Sequence, residues 1–517
     1  DVYKRQHRPW PRAAASRHGD ARIAPRAQRC VRGDASARHD RAWYAGEVLI
    51  SPLTARRRAL WLGLGALLLV MSAYRWGVAP LAWITPVPFL IAQRGSTTWR
   101  HQLTLLAVVS AASILQVAKI ITAPLPLALA IPFALPSAIS AWLLLVGTEA
   151  IRRRLGELSA VAAFVALTGV SEWLSCSFSP LGMWGTGAST QVDQLLILQV
   201  AAVAGVPGIG VIMALVAATL AMLLAAPPSV SARRVALAAA ALVVGVLGWA
   251  AIRLDTVQAG PSLRVAGVVI DDGPETADVA QLRQRNLELA LTRTRTAAQR
   301  GAQLVVWNEA AVFASVAEEP VVLERVSTLA RELSVEVVAG YAVVLAGTPR
   351  RFDNKYVWVG RDGATIEAYR KHHPVPGEPS LRGTDPRSAH DHTWGATQVR
   401  AAGAICYDFD FSETALAYGR LRAGLVALPS SDWRGIDPYH TQMARIGAIS
   451  GGFSLVRPVR AATSAAFDAY GRARATMSGF EDNERILLAT VPTEHVPTVY
   501  AQLGDLPVLA LCGLTLA

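Results

Sequence analysis

The chain has 517 residues, of which 52% are hydrophobic and only 17% charged, and it carries a formal net charge of +12. A charged share below the roughly 25% of soluble domains argues against an ordinary soluble enzyme, and the length calls for two or more domains. The basic excess falls in the first 58 residues and in short loops between apolar runs rather than on one folded face, which argues against nucleic-acid binding.

Residues 1–50 are rich in Arg, Ala, His and Asp and show little periodicity. They read as a disordered or artefactual N-terminal segment that includes Cys30. Apolar runs then follow at about 59–73, 77–92, 102–121, 125–147, 158–176, 195–225 and 234–252. Several approach or exceed the roughly 20 residues that span a bilayer, so 59–252 is expected to be a bundle of about seven membrane helices. The first two runs are short and flank Tyr74-Arg75-Trp76, which suits a tight hairpin. The run at 195–225 contains Gly205, Pro207, Gly208 and Gly210 and is expected to kink. Alternate loops carry Arg56–Arg58, Arg94 with Arg100, Arg152–Arg154, and Arg233 with Arg234. The positive-inside rule places these loops in the cytoplasm and whatever follows Ile252 on the opposite side.

Residues 262–495 read as a mixed α/β domain. Short apolar stretches (LRVAGVVI, QLVVWNEA, VEVVAGYAVV, GAICYD, GLVALPSS) suit strands, and 275–300 has helical composition. The apolar stretch at 501–517 reads as the start of a last membrane helix. Cys30, Cys176, Cys406 and Cys512 are scattered, without a CxxC pair or metal-ligand spacing, so neither a disulfide framework nor a structural metal is expected. No cofactor is expected either.

Three strand-like stretches end in a reactive side chain: VVWNEAAVF at Glu309, EAYRKHHPVPGE with Lys371 and Glu378, and GAICYDFDF at Cys406. Singly, each has a plain reading: a dipole-stabilised carboxylate, a solvated lysine, a small core cysteine. Together they supply what acyl transfer needs, namely a proton acceptor, a cation for an oxyanion and a thiol nucleophile. Adjacent His372 and His373 point to opposite faces of a strand and make poor joint metal ligands. His440 reads as a local hydrogen-bonding residue, and Glu172 and Asp193 as solvated residues flanking a loop.

The order Glu, Lys, Cys at strand ends resembles the nitrilase superfamily, whose triad sits on an α-β-β-α sandwich. With a membrane bundle before that domain and a last helix after it, the arrangement resembles bacterial apolipoprotein N-acyltransferases. The motifs that carry this are SPLGMWGTGASTQVDQLLILQVAAVAGVPGIGV at 179–211, YRKHHPVPGE at 369–378, ICYDFDF at 405–411, HTQMAR at 440–445, RPVRAATSAAFDAYGR at 457–472 and VYAQLGD at 499–505. The resemblance implies Glu309 as general base, Lys371 as oxyanion stabiliser and Cys406 as nucleophile, with Glu378, Tyr407 and Trp433 supporting the site or binding substrate. It implies a phospholipid acyl donor, a diacylated lipoprotein acceptor and a thioester intermediate. It further implies a monomer in the bacterial inner membrane with the catalytic domain on the periplasmic side. A membrane-tethered amidase is the alternative. Asn308 stands where the family usually has proline, Asp408 where it has glutamate, and 446–452 lacks the family's usual pattern.

Overall fold

The computed structural model describes residues 53–96, 98–225, 229–258, 260–271 and 279–516, so the segment at 1–50 with Cys30, the start of the 275–300 stretch and Ala517 lie outside the described residues. Among the described residues, five helices are long and apolar enough to cross a membrane: Trp99–Ala118, Leu127–Leu155, Glu157–Phe178, Ala201–Ala225 and Val230–Asp255. The last has only 11% of its apolar window buried. Its Leu237, Val244 and Ile252 point outward, as lipid-facing residues do.

The two short N-terminal runs form the 17-residue helix Ala55–Met71 and the broken pair Ala79–Ala82 and Pro86–Gln93. The reversal between them places Tyr74 and Trp76 at positive φ, 62° and 59°. The glycine-rich run is also broken. Leu195–Leu198 precedes Ala201–Ala225, which kinks at Gly205, φ 63°. A Cβ at Gly205 would lie 2.4 Å from the Tyr500 ring, so the kink and the absent side chain together let the C-terminal segment pack there.

The strands among the described residues follow in chain order: β1 Ser262–Val268, β2 Leu304–Trp307, β3 Val312–Ser315, β4 Glu336–Leu345, β5 Arg351–Val359, β6 Thr365–Arg370, β7 His390–Trp394, β8 Thr397–Gly403, β9 Leu425–Ala427, β10 Ser430–Ser431, β11 Ser454–Arg457, β12 Val459–Arg460, β13 Ser464–Phe467, β14 Ala473–Met477 and β15 Ile486–Pro492. One sheet has the order β15-β1-β2-β4-β5-β6 with β3 added on β4, and the other runs β14-β13-β11-β9-β8-β7. Alternation along the strands sorts the side chains. Leu263, Val265, Leu304, Val306 and Val338 meet Ala401, Leu425, Leu455 and Ala465 of the second sheet. Their neighbours Val305, Trp307 and Val337 pack under the helices Val279–Gln299 and Glu319–Leu333. Ser412–Arg420 and Tyr439–Gly451 cover the other sheet, completing the expected α-β-β-α sandwich.

Tyr439–Gly451 also joins the domain to the bundle. It turns Ala444 and Ala448 to the sheet, and Met443, Ile446 and Ile449 to Ile197, Val206 and Ile209 of the membrane helices. Polar contacts fix the same seam. Met183 N donates to the Asp410 carbonyl at 2.9 Å and Tyr439 Oη to the Ser189 carbonyl. At Gly182 (φ +55°) a Cβ would lie 2.2 Å from that same Asp410 oxygen. Gly182→Ala should therefore destabilise the seam by about 2 kcal/mol or more. The expected readouts are a lower unfolding temperature in detergent and faster alkylation of Cys406; an unchanged alkylation rate would show that the contact does not hold the seam.

Candidate active site

Glu309, Lys371 and Cys406 each sit just past the end of a strand, whereas Glu378 lies in the loop between β6 and β7. β2 ends at Trp307, and Asn308 then staples the first sheet's edge. Its amide donates to Val268 O at 3.0 Å, its Oδ1 accepts from Ile270 N at 2.7 Å, and its Nδ2 donates to Glu309 O at 2.9 Å. Asparagine at this position thus replaces ring rigidity with side-chain hydrogen bonds. Lys371 follows β6, its amide donating to Asn354 O at 2.9 Å. Cys406 follows β8 at φ 45°, at the start of the 3-10 turn Cys406–Asp410. Strain of this kind persists only when neighbours over-determine it. Here Cys406 N donates to Pro429 O at 2.9 Å, and Glu309 N donates to Ser430 O at 3.3 Å, so two consecutive carbonyls hold the thiol and the carboxylate from opposite sheets. Asp408 locks the turn. Its carboxylate accepts from Ile405 N at 3.1 Å, His373 N at 2.7 Å and Tyr369 Oη at 2.9 Å.

The structure brings Glu309, Lys371 and Glu378 into direct contact. Lys371 Nζ donates to Glu309 Oε1 and to Glu378 Oε2, both at 2.8 Å, with side-chain exposures of 2% for the lysine, 7% for Glu309 and 15% for Glu378. The solvated reading of Lys371 is thereby corrected. Two of its three hydrogens are spoken for, which leaves one for a substrate oxygen. Burial opposes the ammonium's charge, but Glu309, Glu378 and the nearby Cys406 outweigh it and hold the pKa well above the ordinary lysine value. Burial also raises the Glu309 carboxyl, reinforced by Glu378 and opposed by Lys371. Burial pushes the Cys406 thiol well up, with Glu309 and Asp432 adding to it. The resting thiol is therefore neutral.

Cys406, Tyr407 and Trp433 line one cavity of about 70 Å³. Its far wall is the membrane bundle: Val117, Ile120, Ile121 and Phe133. Tyr407 Oη donates to Pro180 O at 2.8 Å and Trp433 Nε1 to Ile120 O at 2.7 Å, so both residues tie the thiol's surroundings to the membrane helices.

Two groups of residues were not legible as site residues. Asn354 lies mid-strand in RFDNKYVWVG, yet its Nδ2 bridges Glu309 Oε1 (2.7 Å) and Glu378 Oε1 (3.2 Å). The other is a buried ion network around His440, which corrects its local reading. His440 Nδ1 meets Asp432 Oδ1 at 2.7 Å and Nε2 meets Asp410 Oδ1 at 3.0 Å. Arg457 reaches Asp432 at 3.1 Å, and Trp184 of the membrane loop donates to Asp410 Oδ2 at 2.7 Å. Asp432 Oδ1 lies 3.9 Å from Cys406 Sγ. Cys406, Asp432 and His440 present ligand atoms within 4.8 Å of one another. Both imidazole nitrogens are nevertheless engaged by carboxylates, and Arg457 Nη2 sits 2.9 Å from His440 Nδ1. The set therefore fits a fixed ion network and not a resident metal. Glu172 departs from expectation too. Instead of being solvated, its Oε1 accepts from Gly187 N at 2.6 Å against the bundle interior, whereas Asp193 is exposed. His372 and His373 diverge as expected, the first to Tyr369 and Asp385, the second to Asp408 and Glu413.

His440 makes the fold pH-sensitive at the alkaline end. Burial disfavours its charge, but Asp410 and Asp432 prevail and push its pKa from 6.5 up to about 9. A raised folded pKa means the stabilisation is full below 6.5 and is lost as pH rises through about 9. Thermal unfolding of the wild type should fall across that window, and His440→Gln should flatten the fall. An equally steep loss in the variant would assign it to another group.

The sandwich, with a buried carboxylate–ammonium–thiol site roofed by membrane helices, defines a membrane-anchored protein of the carbon–nitrogen hydrolase type. The family model described as "Carbon-nitrogen hydrolase" matches residues 256–499, and that of the "Apolipoprotein N-acyltransferase N-terminal domain" matches 65–219. The two matches lie side by side along the chain and, with curated relatives named apolipoprotein N-acyltransferase, support an apolipoprotein N-acyltransferase in the nitrilase superfamily. It is 28% identical over 392 residues to the apolipoprotein N-acyltransferase of Bradyrhizobium diazoefficiens, covering 68% of this chain and 72% of that one. It is 26% identical over 389 residues to that of Rhodopseudomonas palustris, covering 68% and 71%. Among solved structures, an amidase from Nesterenkonia sp. matches at 19% identity with TM-score 0.37, covering 48% of this chain and 94% of that one.

Proposed function

We propose that this chain moves an acyl chain from a membrane phospholipid, through a thioester on Cys406, to the α-amine of the diacylglyceryl-cysteine at a lipoprotein N-terminus. The carrying observation is the cavity at Cys406, one wall catalytic and the other made of apolar membrane helices. A plain amidase acting on soluble amides has no use for such a wall.

The residues suit a two-stage reaction. Glu309 takes the thiol proton as Sγ attacks the acyl carbonyl carbon, and the third hydrogen of Lys371 meets the developing oxyanion. The carbon–oxygen bond to the glycerol breaks, and the protonated Glu309 returns its proton to the departing alkoxide. The acceptor amine then attacks the thioester, Glu309 takes its proton, and the sulfur leaves to be reprotonated. Glu378 and Asn354 hold Glu309 and Lys371 in register, while Tyr407 and Trp433 wall the acyl group. The largely apolar lining of the cavity favours a lipid-borne amine over water as acceptor.

Loop arginines support a cytoplasmic start and a catalytic domain on the periplasmic side of a bacterial inner membrane. Both lipids reside there, so no acyl chain has to enter water at about 0.8 kcal/mol per methylene. In this proposal the chain works as a monomer and needs no cofactor. Membranes containing the protein, incubated with acyl-labelled phospholipid and a diacylated lipopeptide, should place label on the peptide as an amide. Release of free labelled fatty acid alone would replace this reading with a hydrolase.

A further inference from the structure

A second cavity, about 560 Å³, lies behind the wall of the Cys406 cavity. The wall is thin. On the Cys406 side stand Tyr407, Val375 and Leu181; on the other stand Pro180, Pro374 and Pro376. The Tyr407 Oη to Pro180 O hydrogen bond lies at the partition. The two chambers differ in chemistry. The first is mostly apolar, with Asp432 and His440 at the thiol end, whereas the second presents His373, Arg382, Ser412, Glu413 and Asp505.

Its level relative to the membrane is set by its lining. Phe178 is the last residue of the membrane helix Glu157–Phe178 and is strongly exposed. Asp505 directly precedes the final apolar helix Leu506–Leu516. A cavity bounded by the end of one membrane helix and the start of another sits at the bilayer surface, where lipid headgroups lie. The carboxylate Glu413 is engaged by Arg387 at 2.8 Å and by His373 at 3.3 Å, and Asp505 accepts from Tyr500 Oη at 3.2 Å. Arg382 is exposed and makes no hydrogen bond or ion pair among the described residues. An unengaged guanidinium matched to an anion with several acceptor oxygens is a phosphate-binding arrangement.

We infer that this polar chamber seats the phosphate headgroup of the acyl-donor lipid, with Arg382 as its ionic contact, while the acyl group enters the apolar chamber across the Tyr407–Pro180 partition. The inference rests on the acyl-transfer reading and adds the donor's polar subsite to it. The test compares thioester formation on the full chain in detergent from dipalmitoyl glycerophospholipid and from p-nitrophenyl palmitate, which has the same acyl chain and no phosphate. Arg382→Gln should lower the ratio of kcat/KM for the phospholipid to that for the ester about tenfold, through KM, as expected for loss of one charge-assisted contact. Arg382→Lys should restore part of it. An unchanged ratio, or a defect confined to the later transfer onto a lipopeptide, overturns the headgroup assignment and, in the second case, gives the chamber to the acceptor peptide. If the wild type acquires no acyl group from either donor, the acyl-transfer reading falls as well, so the two failures are distinguishable.

Discussion

Cys406→Ala is expected to abolish the acyl-enzyme and to lower transfer by at least about a thousandfold. The substitution removes one atom from a cavity wall and leaves the ion networks on either side intact, so the fold should survive. Cys406→Ser makes the sharper test. Serine keeps the shape, the strained backbone at φ 45° and the amide bond to Pro429 O, but its hydroxyl is a far weaker acid than a thiol. An oxygen ester is also attacked much more slowly by an amine than a thioester is. A serine enzyme that acylates at all should therefore stall as a stable acyl-enzyme, visible as an added acyl mass that a lipopeptide does not discharge. Acyl mass on the alanine variant would place the nucleophile elsewhere.

Lys371→Met is expected to cost about a hundredfold to a thousandfold in thioester formation, the range for losing an oxyanion donor. It should also cost stability, because buried Glu309 and half-buried Glu378 lose the cation they share. Breaking a buried ion pair from one side costs about 3–5 kcal/mol. With Lys371 gone, Glu309 and Glu378 face each other across Asn354 Nδ2, and at least one must bind a proton. The double variant Lys371→Met, Glu378→Gln should recover much of the unfolding temperature and none of the activity. That split separates the lysine's structural work from its chemical work. Recovery of activity in the double variant would mean that Lys371 acts only by neutralising Glu378.

Local information made much of this protein legible. Run length and hydropathy marked the membrane helices, because a bilayer imposes a length that any window of sequence reveals. Short Val-, Ile- and Ala-rich stretches marked the strands, and Glu309, Lys371 and Cys406 stood out because each follows one of them. Gly205 and Pro207 announced the kink for the same reason, since backbone preference is a property of the residue itself. Long-range closure decided the rest. Asn354 joins the site 45 residues from Glu309, His440 reaches Asp410 across 30 residues, and Tyr407 meets Pro180 across 227. Whether a carboxylate is solvated, as Asp193 is, or clamped in a helix bundle, as Glu172 is, depends on which element arrives opposite it. A side chain's ionisation and partners are set by the groups packed around it in three dimensions, and covalent neighbours carry almost none of that information.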